Sequence, residues 1–225
     1  MNKKLVCLCS FLFFLLSTCC FFHLRPFRTF AEAEKSIYLT FDDGPSDRIT
    51  PKILSVLREE GVRATFFVVG RNVETRKELT RRILDEGNSV GIHSYSHRYG
   101  QIYASPETLI RDIEKCGALL NELGIYTRLY RFPGGSSMVD ENFKAAVRKK
   151  GYAYVDWNAL CGDSEIKNPK PSELYERAIR TAGEKSTIIM LFHDSTDKDA
   201  TLKALPFIIE HYKTLGYRFC TFDMA

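Results

Sequence analysis

An α/β fold with parallel strands is predicted by three observations along this 225-residue chain. Short runs rich in β-branched and aromatic residues alternate with longer runs whose apolar residues recur at helical spacing. Glycine closes most of the helical runs, as a stop signal should. No Ser/Pro/Gly-rich linker, repeat or low-complexity tract divides the region after residue 33. Such alternation implies βα units. A closed or nearly closed, distorted (β/α) barrel of about seven parallel strands fits, with an open doubly wound sheet as the alternative.

The elements follow in order. A first strand is expected at 37–41, ended by Gly44-Pro45. A helix follows at 46–60, with Ile49, Ile53, Val56 and Leu57 on one face and Gly61 as its stop. Residues 64–69 read as a buried strand, 73–86 as a helix closed by Gly87, and 89–92 as a short strand leading into His93. Pro106 opens a helix at 106–123. Residues 128–132 form a strand ending at Pro133-Gly134-Gly135, and 140–150 a helix stopped by Gly151. A strand at 152–157, a helix at 172–182, a strand at 187–192, a helix at 202–215 and a strand at 217–221 complete the pattern.

Composition is that of an ordinary globular chain, with 44% hydrophobic and 27% charged residues. The net charge of +4 is scattered, so nucleic acid is not an expected partner, while an anionic polymer is not opposed. Lys3 and Lys4 precede an apolar run at 5–24, and Ala31-Glu32-Ala33 offers a cleavage site. Residues 1–33 are therefore expected to be a signal peptide or an N-terminal membrane anchor, and residues 35–223 the working domain. Leu16-Ser17-Thr18-Cys19 loosely resembles a lipoprotein signal, but Thr18 fits it poorly. Every route places the domain outside the cytoplasm, secreted or held at the outer face of the membrane or in the cell wall. Of seven cysteines, only Cys116, Cys161 and Cys220 fall in the domain, which is no disulfide framework, although one pair could form. A monomer is expected.

The candidate chemical residues fall at predicted strand ends, where barrels and open α/β sheets place their ligands. Asp42 and Asp43 follow the first strand, His93 and His97 the third, Arg131 ends the fourth, Asp156 and Trp157 the fifth, and His193 and Asp194 the sixth. Adjacent carboxylates are costly to ionise together without a cation, so the Asp pair suggests a metal, a shared proton, or simply a turn. His93 and His97 on a helical turn would face one side and could share a metal with one aspartate. Three protein ligands leave a position open for water, which suits hydrolysis. The other aspartate would then be a general base, with Arg131 as its counter-charge. His193 is a candidate general acid, kept protonated by Asp163 or Asp194. Spacing alone treats Asp42 and Asp43 alike.

Four stretches in order resemble the motifs of the polysaccharide deacetylases of the NodB-homology type, carbohydrate esterase family 4. They are Thr40-Phe41-Asp42-Asp43-Gly44-Pro45, His93-Ser94-Tyr95-Ser96-His97, Arg131-Phe132-Pro133-Gly134-Gly135 and Leu191-Phe192-His193-Asp194. The resemblance covers residues 35–222 and implies a distorted β/α barrel that hydrolyses N-acetyl groups of an N-acetylglucosamine polysaccharide such as peptidoglycan. It implies Asp42 as base, Asp43, His93 and His97 as ligands, Arg131 as tether of the base, and His193 as acid. Leu191 would line the acetyl pocket, and the Gly134 amide after Pro133 would serve the oxyanion. The implied metal is zinc, with cobalt, iron(II) or nickel as alternatives. Two departures stand out: Gly134 replaces a frequent tyrosine, removing an aromatic wall, and Ser164 follows Asp163 where Trp is usual. Asp163 is expected to partner His193, with Trp157 as a wall or core residue and a more open groove. The competing readings are a non-catalytic glycan-binding module on the same fold and a hydrolase of another extracellular amide or ester.

Overall fold

The computed structural model describes residues 34–222; the expected leader lies outside them. β1 (Ser36–Asp42), β2 (Thr65–Val69), β3 (Ser89–Ser94), β4 (Leu129–Tyr130) and β5 (Ala153–Tyr154) occupy one side of the sheet. β7 (Thr187–His193) lies on the other flank of β1, and β6 (Ala159–Leu160) beyond it, giving the order β5-β4-β3-β2-β1-β7-β6. Every pairing is parallel. The two edge strands are consecutive in the chain. Tyr154 and Ala159 are five Cα steps apart, at most about 18 Å, so the sheet has to roll until its edges approach. Asn158 fastens the second edge: its side chain accepts from Ile189 N at 2.8 Å and donates to Thr187 O at 2.9 Å. The result is the expected distorted (β/α) barrel rather than an open sheet.

Alternation along each strand separates two environments. Ile37, Leu39 and Phe41, Phe66 and Val68, Val90 and Ile92, Tyr130 and Phe132, and Ile188, Met190 and Phe192 all join the main apolar core, shared with the surrounding helices. The residues between them face the other way: Thr40 and Asp42, Phe67, His93, Leu129 and Arg131, Leu191 and His193. That inner face carries the polar groups.

The helices are α1 (Thr50–Glu59), α2 (Gly70–Thr75), α3 (Lys77–Asp85), α4 (Tyr99–Ile102), α5 (Pro106–Glu122), α6 (Glu141–Lys149), α7 (Pro171–Ala182) and α8 (Asp199–Thr214). α5 starts as its sequence indicates, with Pro106 in the first turn and the Ser105 hydroxyl accepting from Thr108 N. Three expectations are corrected. The first helix begins at Thr50, because Ser46 N is engaged by the Thr50 hydroxyl and the Ser46 hydroxyl accepts from Ile49 N, which holds 46–49 as a turn. The helix at 73–86 is broken at Arg76, whose φ of −136° and ψ of 45° are not helical. The strand at 152–157 stops at Tyr154, since Val155–Asn158 is spent crossing between the sheet edges. The last strand, β8 (Arg218–Cys220), lies where it is expected, and it pairs with Ser36–Tyr38, in line ahead of β2, which takes Thr40–Asp42. No helix among the described residues is long and apolar enough to cross a membrane. Cys116, Cys161 and Cys220 are all free thiols.

Candidate active site

Asp42 is the last residue of β1 and only 2% exposed. Strict alternation would aim Asp43 at the opposite face. Instead Asp43 has a φ of +77°, a left-handed conformation that returns its carboxylate to the same side. The turn is held from several directions. Asn72 donates to Asp43 O at 2.8 Å, Val69 N to Gly44 O at 2.9 Å, and Asp194 N to Asp42 O at 3.1 Å. Only glycine fits at position 44, where a Cβ would lie 2.0 Å from Asp194 Oδ2. Asp194 itself accepts from the Thr50 hydroxyl at 2.5 Å, while its carbonyl accepts from the Ser46 hydroxyl at 2.6 Å. Burial pushes its carboxyl up to about 7. Asp194 thus ties the start of α1 to the end of β7 and is not the partner of His193.

His93 and His97 do come together, though not on a helical turn. His93 lies in β3, and His97 closes a tight turn with φ +51°. Their rings are 5.0 Å apart. His93 Nδ1 lies 2.9 Å from Arg131 O. A carbonyl only accepts, so Nδ1 carries the hydrogen and Nε2 offers its lone pair to the cleft. Burial drives the His93 pKa down to about 3, leaving a neutral imidazole. Asp43 Oδ1 lies 3.5 Å from His93 Nε2 and 3.2 Å from His97 Nε2, buried and without a hydrogen-bond partner. The ligand atoms of Asp43, His93 and His97 all fall within 4.8 Å of one another. An orphaned carboxylate oxygen facing two imidazole nitrogens is a donor set that suits a borderline divalent cation.

Arg131, fully buried, follows β4 and reaches the floor of the inner face. Nη1 donates to Asp42 Oδ1 at 3.0 Å and to the Thr40 hydroxyl at 2.7 Å. Nε donates to Val155 O at 3.1 Å and Nη2 to Asp156 O at 3.3 Å, with the guanidinium 4.1 Å over the Phe67 ring. Burial raises the Asp42 pKa above the ordinary carboxylate range, and Arg131 pulls it part of the way back. On the facing strand, His193 Nδ1 lies 2.7 Å from Asp163 Oδ1, whose other oxygen accepts from His193 N and Thr201 Oγ1. Burial disfavours the imidazolium, but the hydrogen bond and charge of Asp163 outweigh it and raise His193 to about 9.

Pro133 and the exposed Gly134 form the rim beside this cleft, with φ +79° at Gly134 and +82° at Gly135. Trp157 backs the turn, since a Cβ on Gly135 would lie 3.0 Å from its ring. Leu191 sits two residues before His193 on the same inner face.

Two contributors, Asp112 and Tyr99, escape the sequence reading, and a third, Asp156, takes a part that its strand-end position does not indicate. Asp112 of α5 accepts from Ser94 Oγ and Tyr95 N, both at 2.6 Å, and from Ser96 N at 3.1 Å, while Ser94 Oγ accepts from His97 N at 2.8 Å. One carboxylate therefore shapes the whole turn between the two histidines. Asp156, noted only as a strand-end carboxylate, accepts from Ser136 N at 2.9 Å and from the Ser136 hydroxyl. Tyr99 of α4 stands edge-on to His97 at 5.5 Å. The only local signal for Asp112 is a carboxylate between the buried Ile110 and Ile113.

A family model described as polysaccharide deacetylase matches residues 31–155. The chain is 35% identical to a peptidoglycan-N-acetylglucosamine deacetylase of Bacillus cereus, over 84% of this chain and 86% of the relative. It is 32% identical to the peptidoglycan-N-acetylmuramic acid deacetylase PdaA of Bacillus subtilis, over 84% and 71%. Among solved structures, a Streptococcus mutans CE4 esterase superposes with a TM-score of 0.78 at 33% identity, covering 84% of this chain and 87% of that one.

Proposed function

Because the chain belongs to the polysaccharide deacetylase family, we propose that it is an exported, metal-dependent hydrolase that removes N-acetyl groups from N-acetylglucosamine units of peptidoglycan. The observation that carries this reading is the meeting, at the ends of four inner strands, of a His-His-Asp trio, an Asp42–Arg131 pair and a His193–Asp163 pair. The relatives named as peptidoglycan deacetylases support polysaccharide N-deacetylase as the enzyme class and the wall polymer as substrate. The basic and apolar leader supports export.

Asp43, His93 and His97 would hold the ion, zinc first and cobalt, iron(II) or nickel as alternatives. When bound, it supplies Lewis-acid polarisation of the acetyl carbonyl and lowers the pKa of water to about 7. Asp42 is the general base. Arg131 occupies its Oδ1, which leaves Oδ2 to take a proton from the attacking water. Its raised pKa makes it a stronger base than an exposed aspartate. His193 is the general acid: Asp163 holds Nδ1, so Nε2 is left to protonate the leaving amine as the C–N bond breaks. The Gly134 amide serves the oxyanion, where a preorganised donor contributes about 3 kcal/mol. Leu191, Pro133 and Trp157 bound the acetyl group.

A second reading changes only the sugar, because PdaA is named for N-acetylmuramic acid. Metal analysis joined to acetate release over peptidoglycan, N-acetylglucosamine oligomers and muramic-rich wall fragments decides between them. The proposal expects acetate from N-acetylglucosamine units, lost on chelation and restored by the metal. Equal release by chelated protein, or none from any polymer, contradicts it.

A further inference from the structure

We propose that Tyr99 is a sugar-binding platform at the mouth of the active site, placed to take a pyranose ring of the polymer next to the unit whose acetyl group is removed; this rests on the function proposed above. Tyr99 is 49% exposed, and among the exposed large hydrophobic side chains of the described residues it is the one packed against a group of the candidate metal trio. Its exposure is not that of a loose side chain. α4 is fastened below it by Ile102, which is buried in the main core, and by Tyr103, whose hydroxyl donates to Pro133 O at 2.8 Å and whose ring packs edge-on against Phe143 at 5.9 Å.

The ring also leans over the rim turn. A Cβ built on Gly134 would lie 3.3 Å from Tyr99 Cε1 and 3.4 Å from its hydroxyl. Tyr99 therefore fills the space above Gly134 that a side chain at that position would have taken. An aromatic side chain beside Gly134 is thus supplied from α4. Trp157 stands behind the adjacent Gly135, so the Gly-Gly turn is bracketed by two aromatic side chains. A pyranose ring has apolar C–H faces and a rim of hydroxyls. Tyrosine matches both, with an apolar face, a polar tip and few rotamers to freeze. Tyr99 touches the His97 ring, lies against Gly134 and keeps about half of its surface exposed, so the platform is beside the reacting unit and not part of it.

Trp157 is the only tryptophan of the chain, and its fluorescence reports on this turn. Titration of metal-loaded wild-type protein, Tyr99→Ala and Tyr99→Phe with N-acetylglucosamine dimer and tetramer tests the platform without relying on turnover. Tyr99→Ala is expected to raise Kd for both the tetramer and the dimer about tenfold, the loss of one aromatic contact, because a dimer already carries the ring next to the reacting unit. Tyr99→Phe should stay within about twofold, since the ring face remains. Metal content should match wild type in all three. Tetramer binding as tight in Tyr99→Ala as in wild type overturns the platform, as does a wild type that binds neither oligomer or a loss of affinity that follows a loss of metal. Acetate measured on the same samples separates the two ideas. Release with three equal Kd values removes the platform and keeps the hydrolase, whereas a Tyr99-dependent Kd without release keeps the platform and removes the hydrolase.

Discussion

His193 and Asp163 show how one pair of side chains can set a pH profile. Burial alone would lower the histidine pKa, but Asp163 lies 2.7 Å from Nδ1 and has its second oxygen saturated by His193 N and Thr201 Oγ1. The net effect is a histidine raised to about 9, charged at neutral pH and able to give up its proton. The alkaline limb of kcat/KM is therefore expected near pH 9, with activity lost as pH rises through that value. The same shift is a stability statement. A folded pKa above the unfolded value stabilises fully below the unfolded histidine pKa of about 6.5 and is lost as pH rises through the folded one. In Asp163→Asn the main counter-charge is gone and only the charges of Asp42 and Asp43 still oppose burial, so the limb should move down by about 1–3 units. A limb that stays in place would mean that another group is the acid. On the proposed mechanism the acid limb would belong to Asp42, whose carboxyl burial raises above its ordinary value.

At the scale of elements, α5 reaches into the candidate metal site without supplying a ligand. Asp112 accepts from three groups of the Ser94–Ser96 turn, and through the Ser94 hydroxyl it fixes the His97 amide. Groups that orient ligands typically cost 10- to 100-fold in metal affinity when removed, so Asp112→Ala is expected to weaken metal binding by about that factor in competition with a chromogenic chelator. Unchanged affinity would show that the turn holds itself. This contribution was not legible in sequence, because Asp112 looks like one more polar residue of an amphipathic helix and its partners lie on a strand-end loop. Elements with a complete local signal were legible. α5 carries a cap, a first-turn proline and helical periodicity, and the strands at 37–41 and 187–192 are unbroken apolar runs. The expected strand at 152–157 runs too long because its six residues together have strand composition. What ends it at Tyr154 is the closure of the sheet, which no local pattern encodes. β8 was found, but its place beside the first half of β1 depends on register, which is equally invisible in the chain.

For the whole molecule, the parity of the inner face explains why weak local signals add up. β1, β3, β4 and β7 each end on the same rim, and Asp42, His93, Arg131 and His193 share the inner face although they span about 150 residues. The βα repetition predicts that rim, so the site residues group together from strand order alone. The different surroundings of two adjacent aspartates could not be read that way. That difference comes from the left-handed turn at Asp43 and from Arg131, which engages Asp42 alone. The central claim is that Asp42 is the base of a hydrolase, and acetate release by metal-loaded wild-type protein and by Asp42→Asn on one N-acetylglucosamine polymer tests it most directly. The variant is expected to keep its metal and to lose about 10²- to 10⁴-fold in rate, the usual contribution of a positioned base. Equal release by the two proteins would contradict it.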